Sequence, residues 1–303
     1  MTKRNFRIVA FFMMILLVVS LTGCMTDTSY PGTLNIVEAS QVIESANSPG
    51  VIVIDARGQE AYDKGHLKGA ICLSPDELVV EAPVPKTLVD QATFESILSK
   101  HGISNDSVVY IYDDNGGVSA GRIWWTLRVY GHTSVMIVNG GASELVKAKA
   151  ELTVEPTVLP ETSYTASVLD TSQVASFEAV KAVTEDAQSE VKLLDVRSSA
   201  EFAEGHIPGA ILYPHTQNLY KDGTFMSSRD LKLFYQDAGF SVDDEIILYC
   251  KSSYRATQAV ALLEEAGFKN LKVYDGAWIE WSSLMDTTEV QEDTAPVGES
   301  DGS

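Results

Sequence analysis

Cys250 is one of three cysteines in the 303-residue chain, and its surroundings suit a reactive thiol. The apolar run 246–249 precedes it, and Ala256, Val260 and Leu263 recur behind it at helical spacing. The pattern predicts a thiol where a buried strand gives way to a helix. The competing interpretation is a small apolar residue at a strand end, since cysteine is often buried.

The residues that follow this thiol could form an anion-binding loop. The thiolate is the nucleophilic form of cysteine. A loop that runs from a strand into a helix directs backbone N–H groups towards its centre, and the helix N-terminus favours negative charge there. We therefore predict that Cys250 is the catalytic nucleophile. The predicted substrate-binding residues are Lys251, Ser252, Ser253, Tyr254 and Arg255.

The chain also contains an internal repeat. The segment VIVIDARGQEAYDKGHLKGAICLSP from residue 51 aligns with VKLLDVRSSAEFAEGHIPGAILYPH from residue 191, and two further blocks align in the same order. This predicts two related domains, at 33–145 and 168–285, joined by a proline-containing linker at 146–167. The acidic segment 286–303 is predicted to be a disordered tail.

Each repeat alternates short apolar runs with helical patterns. Strands are predicted at 51–54, 108–112 and 135–138, and a helix at 120–130. Such alternation is typical of an α/β domain whose central parallel sheet has helices on both faces. Ligands bind such sheets outside the carboxyl ends of the strands. Cys250 follows one of these strands, and the first repeat has Asp113 at the corresponding place.

Together, these motifs resemble those of the rhodanese, or sulfurtransferase, superfamily. They are Asp-x-Arg at 195–197, Gly-His-Ile-Pro-Gly-Ala at 205–210, the strand–Cys250–loop–helix unit and Asp-Gly-Ala-Trp at 275–278. The resemblance covers both repeats. It implies two rhodanese-like α/β domains with one working active site in the second, the first being inactive because Asp113 replaces the cysteine.

The resemblance further implies a sulfur-transfer reaction. Cys250 would take a sulfane sulfur from thiosulfate, become a persulfide, and pass the sulfur to cyanide or a thiol. Four residues separate Cys250 from Arg255, whereas related cysteine phosphatases have five, which favours sulfur transfer over phosphatase activity. The charged loop favours thiosulfate over mercaptopyruvate as the donor.

Two positions depart from the family pattern. A substrate-binding arginine of the tandem enzymes aligns with Glu201, which weakens the case for tight thiosulfate binding. Ser253 replaces a loop glycine, and a residue with a Cβ resists a positive φ.

Other candidate residues have structural interpretations. Asp195 and Arg197 are expected to form an ion pair that supports the loop, His206 to stabilise a turn, and Cys72 to lie in the core. A disulfide between Cys72 and Cys250 is left open by the sequence. With no paired-cysteine motif, histidine cluster or glycine-rich phosphate loop, we expect no metal and no organic cofactor.

The first residues predict export. Lys3, Arg4 and Arg7 precede an apolar run at 8–21, which is too short to span a membrane. The run ends in Leu-Thr-Gly-Cys at 21–24, which resembles the lipobox of bacterial lipoproteins. We expect residues 1–23 to be removed and Cys24 to be lipidated, either at the outer face of the cytoplasmic membrane or in the outer membrane. An ordinary secretory signal is the alternative.

The net charge of −20 disfavours nucleic acid as a partner. The expected partners are a small anionic sulfur donor, a thiol or cyanide acceptor, and the membrane through the lipid anchor. The alternative function is a non-catalytic binding or sulfur-carrying lipoprotein of the same fold. The presence of Cys250 argues against it, because Asp113 shows what a lost site looks like.

Overall fold

A computed structural model describes residues 29–32 and 34–285. The predicted signal peptide, Cys24 and the acidic tail 286–303 lie outside the described residues. Within the described ranges, no helix has both the length and the apolar character that crossing a membrane requires.

Both halves of the described chain alternate strands and helices. The elements of the first half are β1 (Ile36–Val37), α1 (Ala39–Ser45), β2 (Val51–Asp55), α2 (Gln59–Lys64), β3 (His66–Leu67), β4 (Ile71–Cys72), α3 (Gln91–Lys100), β5 (Val108–Tyr112), α4 (Val118–Val129), β6 (Val135–Val138), α5 (Gly141–Lys147) and β7 (Leu152–Thr153). Those of the second half are β8 (Val174–Ala175), α6 (Phe177–Glu185), β9 (Lys192–Asp195), α7 (Ser199–Glu204), β10 (Ile211–Leu212), α8 (Ser228–Asp237), β11 (Glu245–Tyr249), α9 (Tyr254–Glu265), β12 (Asn270–Tyr274) and α10 (Ala277–Leu284).

Each half forms a five-stranded parallel sheet. The strand order is β1-β6-β5-β2-β4 in the first and β10-β9-β11-β12-β8 in the second. This confirms the predicted class of two α/β domains with central parallel sheets. Because β11 is the middle strand, with β9 and β12 on either side, Cys250 emerges at the centre of the sheet edge.

Alternating side chains on each strand divide the core into layers. Ile52 and Ile54 of β2 belong to one large cluster that also includes Leu248 of β11, so the two halves share a hydrophobic core. Val53 faces the other way, into a separate cluster on the outer face of the first sheet. Ile247 of β11 likewise faces a third cluster, on the outer face of the second sheet.

The predicted elements match the structure closely where apolar runs are strong. Strands β5 and β6 have the predicted bounds, and α4 begins two residues before the predicted helix and ends one residue before its end. The segment proposed as a linker contains secondary structure, because α5 continues to Lys147 and β7 pairs antiparallel with β3. That pairing ties the segment to the first domain.

Candidate active site

Cys250 lies directly after β11, with 1% of its surface exposed. Its backbone carbonyl accepts a hydrogen bond from the N–H of Trp278 at 3.0 Å, and the Lys251 carbonyl accepts one from Ile279 at 3.2 Å. The first turn of α10 therefore fixes the start of the loop. The predicted position at a strand end is where the structure places the thiol.

The loop from Cys250 to Ser253 leads into α9 through one left-handed residue. Ser253 has φ 66° and is the N-cap of α9. The sequence placed this conformation in doubt because Ser253 carries a Cβ; the residue nevertheless adopts it. Its hydroxyl accepts a hydrogen bond from Arg122 Nη1 at 2.6 Å and lies 2.9 Å from Asp275 Oδ1. These contacts offset the cost of the left-handed backbone.

Backbone donors of this loop remain available for a ligand. Among the described residues, no acceptor pairs with the N–H groups of Lys251, Ser252 or Ser253. Unpaired N–H groups at a helix N-terminus bind anions well. The loop can thus hold a thiolate, a persulfide or an anionic donor.

Arg255 is held by an acidic residue. Its two terminal nitrogens each lie 2.7 Å from an oxygen of Glu201, in a bidentate pair. The hydrogen bond from Arg255 lowers the pKa of Glu201 to about 2. The pKa of Arg255 is raised, first by Glu201 and further by the nearby Cys250. The predicted donor-binding arginine therefore lies near the thiol, but its charge is partly neutralised.

The other predicted loop residues are placed differently. Lys251 is exposed at the mouth of the site, and Ser252 is half-buried. The Tyr254 hydroxyl donates a hydrogen bond to Asp76 of the first domain at 2.7 Å, and burial raises the pKa of Tyr254. Tyr254 thus lies at the domain interface, where it links the loop to the first half.

The corresponding loop of the first half directs its backbone N–H groups at a carboxyl side chain. The buried carboxylate of Asp113 accepts hydrogen bonds from the backbone N–H groups of Gly117 at 2.9 Å, Ala120 at 3.0 Å and Asn115 at 3.3 Å. Burial raises the pKa of Asp113, and these bonds oppose the shift. The loop between the central strand and the following helix therefore points backbone N–H groups at one side chain, which is the geometry that binding an anion requires.

The Asp195–Arg197 pair has the same form in both halves. Arg197 donates to Asp195 at 2.6 Å and to the carbonyl of Gly205 at 2.7 Å. Arg57 makes equivalent bonds with Asp55 and Gly65 in the first half, where Asp113 replaces Cys250. The pair therefore anchors the strand end and the following turn independently of a catalytic thiol.

His206 and Cys72 lie outside the catalytic loop. His206 stacks on Phe202 at 3.7 Å between ring centroids and contacts its carbonyl, as expected for a turn residue. Cys72 ends β4 of the first sheet; it is half-buried rather than in the core, because β4 is an edge strand. Burial raises the pKa of Cys72 to about 11.

Both cysteines within the described residues are free thiols. In the same part of the chain, no group of three or more histidine, cysteine or acidic side chains is arranged to hold a metal ion.

The sequence prediction missed two residues that hold the loop, Arg122 and Asp275. Asp275 was noted only as part of a motif. Arg122 belongs to the first half, from which the sequence prediction named no site residue. An arginine within the apolar helix sequence GRIWWTL was the available signal, because a buried guanidinium needs partners.

A sequence-family model for the rhodanese-like domain matches this chain twice, at residues 38–148 and 178–284. The chain belongs to the rhodanese family. A relative from Mycolicibacterium smegmatis named "Putative thiosulfate sulfurtransferase" is 35% identical over 74% of this chain and 86% of its own length. A relative of the same name from Haloferax volcanii is 34% identical over 75% of this chain and 83% of its own length.

Solved structures agree with the rhodanese fold. SseA from Escherichia coli, described as a 3-mercaptopyruvate sulfotransferase, superposes with a TM-score of 0.74 at 29% identity, covering 81% of this chain and 99% of its own. Tum1 from Saccharomyces cerevisiae superposes with a TM-score of 0.75 at 20% identity, covering 84% of this chain and 96% of its own. The two sequence relatives and SseA support a sulfurtransferase of the rhodanese type.

Proposed function

We propose that the protein transfers a sulfane sulfur from thiosulfate through a persulfide on Cys250. The thiolate attacks the outer sulfur of thiosulfate, a new S–S bond forms, and the original S–S bond breaks. Sulfite leaves with the electron pair of that bond. The outer sulfur of the persulfide then passes to cyanide or a thiol acceptor, which regenerates the Cys250 thiolate.

The observation that carries this proposal is the pair of equivalent loops. In the first half, the loop holds the Asp113 carboxylate through three backbone N–H groups. In the second half, Cys250 stands at the same strand end and the loop donors are unpaired within the described chain. Backbone N–H groups that hydrogen-bond a carboxyl side chain can also bind a thiolate or a persulfide.

The charges around the loop support an anionic donor. Lys251 is exposed at the mouth, and the Arg255 guanidinium lies beside the thiol. Both favour thiosulfate, with mercaptopyruvate as the less favoured donor. Glu201 reduces this attraction by pairing with Arg255, so the affinity for a dianion is expected to be modest.

An intact-mass measurement tests this function. The purified protein is treated with thiosulfate, and the wild type should gain the mass of one sulfur atom, which cyanide should then remove. Cys250→Ser should gain nothing, because a hydroxyl ionises far less readily than a thiol. Cys72→Ser is the matched control and should behave as the wild type. A wild type that takes up sulfur from neither thiosulfate nor mercaptopyruvate would instead favour the non-catalytic binding module.

We also propose that the protein is an exported lipoprotein. The proposal rests on the basic residues, the apolar run and the Leu-Thr-Gly-Cys motif of the first 24 residues. Cys24→Ala should leave the chain unprocessed or release it from the membrane fraction. Membrane-bound, processed Cys24→Ala protein would contradict a lipid anchor at this residue.

A further inference from the structure

Arg122 is a fully buried cation that comes from the first half, which has Asp113 in place of Cys250. It lies on α4, and none of its side chain is exposed to solvent. Its guanidinium donates to Ser253 Oγ at 2.6 Å, to Asp275 Oδ1 at 2.6 Å and to the Lys86 carbonyl at 3.1 Å. Two of these acceptors belong to the catalytic half.

The same guanidinium packs between two aromatic rings. Its central carbon lies 5.1 Å from the ring of Trp125 and 5.4 Å from that of Tyr254. Cation–π contacts and hydrogen bonds in a water-free site fix a side chain in both position and orientation. Arg122 therefore presents a rigid donor to the loop that follows Cys250.

The two acceptors hold opposite ends of that loop. Ser253 is its last residue and the N-cap of α9. Asp275 begins the segment whose Trp278 N–H binds the carbonyl of Cys250. Because one guanidinium group binds both Ser253 and Asp275, a substitution at Arg122 should displace both ends of the loop.

The interface contains a second contact of this kind, in which the second half supplies the side chain and the first half supplies the loop. Gln258 occupies the position on α9 that Arg122 occupies on α4, the fifth residue of each helix. Its amide nitrogen donates to the Gly116 carbonyl, in the loop that follows Asp113, at 2.9 Å. Gln258 therefore reaches a loop without a thiol, whereas Arg122 reaches the loop with one. The pair provides a matched comparison within one molecule.

We propose that Arg122 is a positioning residue that the first half supplies to the active site of the second. It fixes Ser253 and Asp275, and thereby the orientation of the N–H groups that stabilise the Cys250 thiolate and the leaving sulfite. The proposal rests on the proposed sulfur-transfer function. It gives the first half a role in catalysis although it contains no nucleophile.

The test compares Arg122→Met and Arg122→Lys with Gln258→Met in the full chain. Lysine keeps the charge but has one ammonium group, which cannot bind Ser253, Asp275 and Lys86 in the planar arrangement of a guanidinium. Three quantities are measured in each variant: the rate at which iodoacetamide alkylates Cys250 as a function of pH, kcat and KM with thiosulfate, and the midpoint of thermal unfolding.

We expect both Arg122 variants to move the alkylation profile to higher pH and to lower kcat about ten- to a hundredfold, as misaligned donors do. Gln258→Met should lower the unfolding midpoint but leave the alkylation profile and kcat unchanged. If Arg122→Met does not fold, Arg122→Lys carries the comparison. An unchanged profile in the folded Arg122 variants, or an equal shift in Gln258→Met, would overturn the proposal.

Alkylation needs no sulfur donor, so the two proposals can fail separately. A wild type that takes up no sulfur, with an alkylation profile that still depends on Arg122, would refute the transferase function and not the positioning of the thiol. A wild type that takes up sulfur, with Arg122 variants that react normally, would refute only the role of Arg122.

Discussion

Glu201 is the residue that most changes how the active site is understood. Sequence alignment indicated that an acid stands where a substrate-binding arginine is expected, and the structure shows what the acid does. Its carboxylate binds both terminal nitrogens of Arg255 at 2.7 Å, and its pKa is lowered to about 2 by that contact. The carboxylate therefore stays ionised at every pH at which the enzyme would work.

Replacing Glu201 with glutamine should strengthen the binding of an anionic donor. The change removes the charge that opposes Arg255 and keeps a similar shape. We expect KM for thiosulfate to fall about three- to tenfold at low ionic strength, and the difference to shrink at high salt because exposed charges are screened. Arg255→Ala is the opposite control and should raise KM. A raised KM in Glu201→Gln would show that the acid mainly orients Arg255.

The same pair predicts a pH dependence of stability. In the folded state, the pKa of Glu201 is depressed below its ordinary value of about 4.3. The contribution of the ion pair to the free energy of unfolding is therefore complete above about pH 4.3 and is lost as the pH falls towards 2. The pair is partly exposed, so the effect should be small. The wild type should lose more stability than Glu201→Gln between pH 4.5 and 2.5 in urea unfolding.

At the scale of elements, the junction between β11 and α9 depends on Ser253. A residue with a Cβ in the left-handed region costs about 1 kcal/mol relative to glycine. The Ser253 hydroxyl accepts a hydrogen bond from the buried Arg122 guanidinium, and such charge-assisted bonds contribute about 1.5 to 3 kcal/mol. The hydrogen bond therefore outweighs the strain.

Substitutions at Ser253 should follow this balance. Ser253→Gly removes the strain and the hydroxyl together, and should destabilise the protein by about 0.5 to 2 kcal/mol. Ser253→Ala keeps the strain and loses the hydroxyl, and should cost about 1 kcal/mol more. Unfolding in urea gives both values. A Ser253→Gly variant more stable than the wild type would show that the hydroxyl contributes little.

The elements were more predictable than the contacts between them. Apolar runs gave β5 and β6 their correct bounds, because a strand covered on both faces must be apolar throughout. The position of Cys250 followed from the same rule. The sequence could not show that Arg122 reaches Ser253, because 131 residues separate them and only the packing of α4 on α9 brings them together.

At the scale of the whole molecule, the two halves are related by an exchange of equivalent contacts. Asp275 of the second half accepts a hydrogen bond from the N–H of Leu88 in the first half at 2.8 Å. In the same way, Asn139 of the first half accepts one from the N–H of Phe225 in the second half at 2.7 Å. Arg122 and Gln258 form the second exchanged pair. The duplicated chain thus keeps a near-symmetric interface, although only the second half has a cysteine after its central strand.

Helices α4 and α9 approach each other closely at Gly121. A Cβ added there would lie 2.8 Å from both the Cα and the backbone nitrogen of Gln258. Backbone atoms cannot move aside as a flexible side chain can, so any larger residue must separate the two helices. Gly121 also directly precedes Arg122, so such a separation would pull the guanidinium away from Ser253.

Gly121→Ala should therefore destabilise the protein, although glycine to alanine inside a helix ordinarily stabilises it by about 1 kcal/mol. We expect a loss of about 1 to 3 kcal/mol, as for an overpacked core. In calorimetry, the wild type should unfold in one transition because the halves share one core, whereas the variant should unfold in two. Cys250 alkylation should move to higher pH in the same variant. A more stable Gly121→Ala protein would mean that the helices pack with more room than the structure indicates.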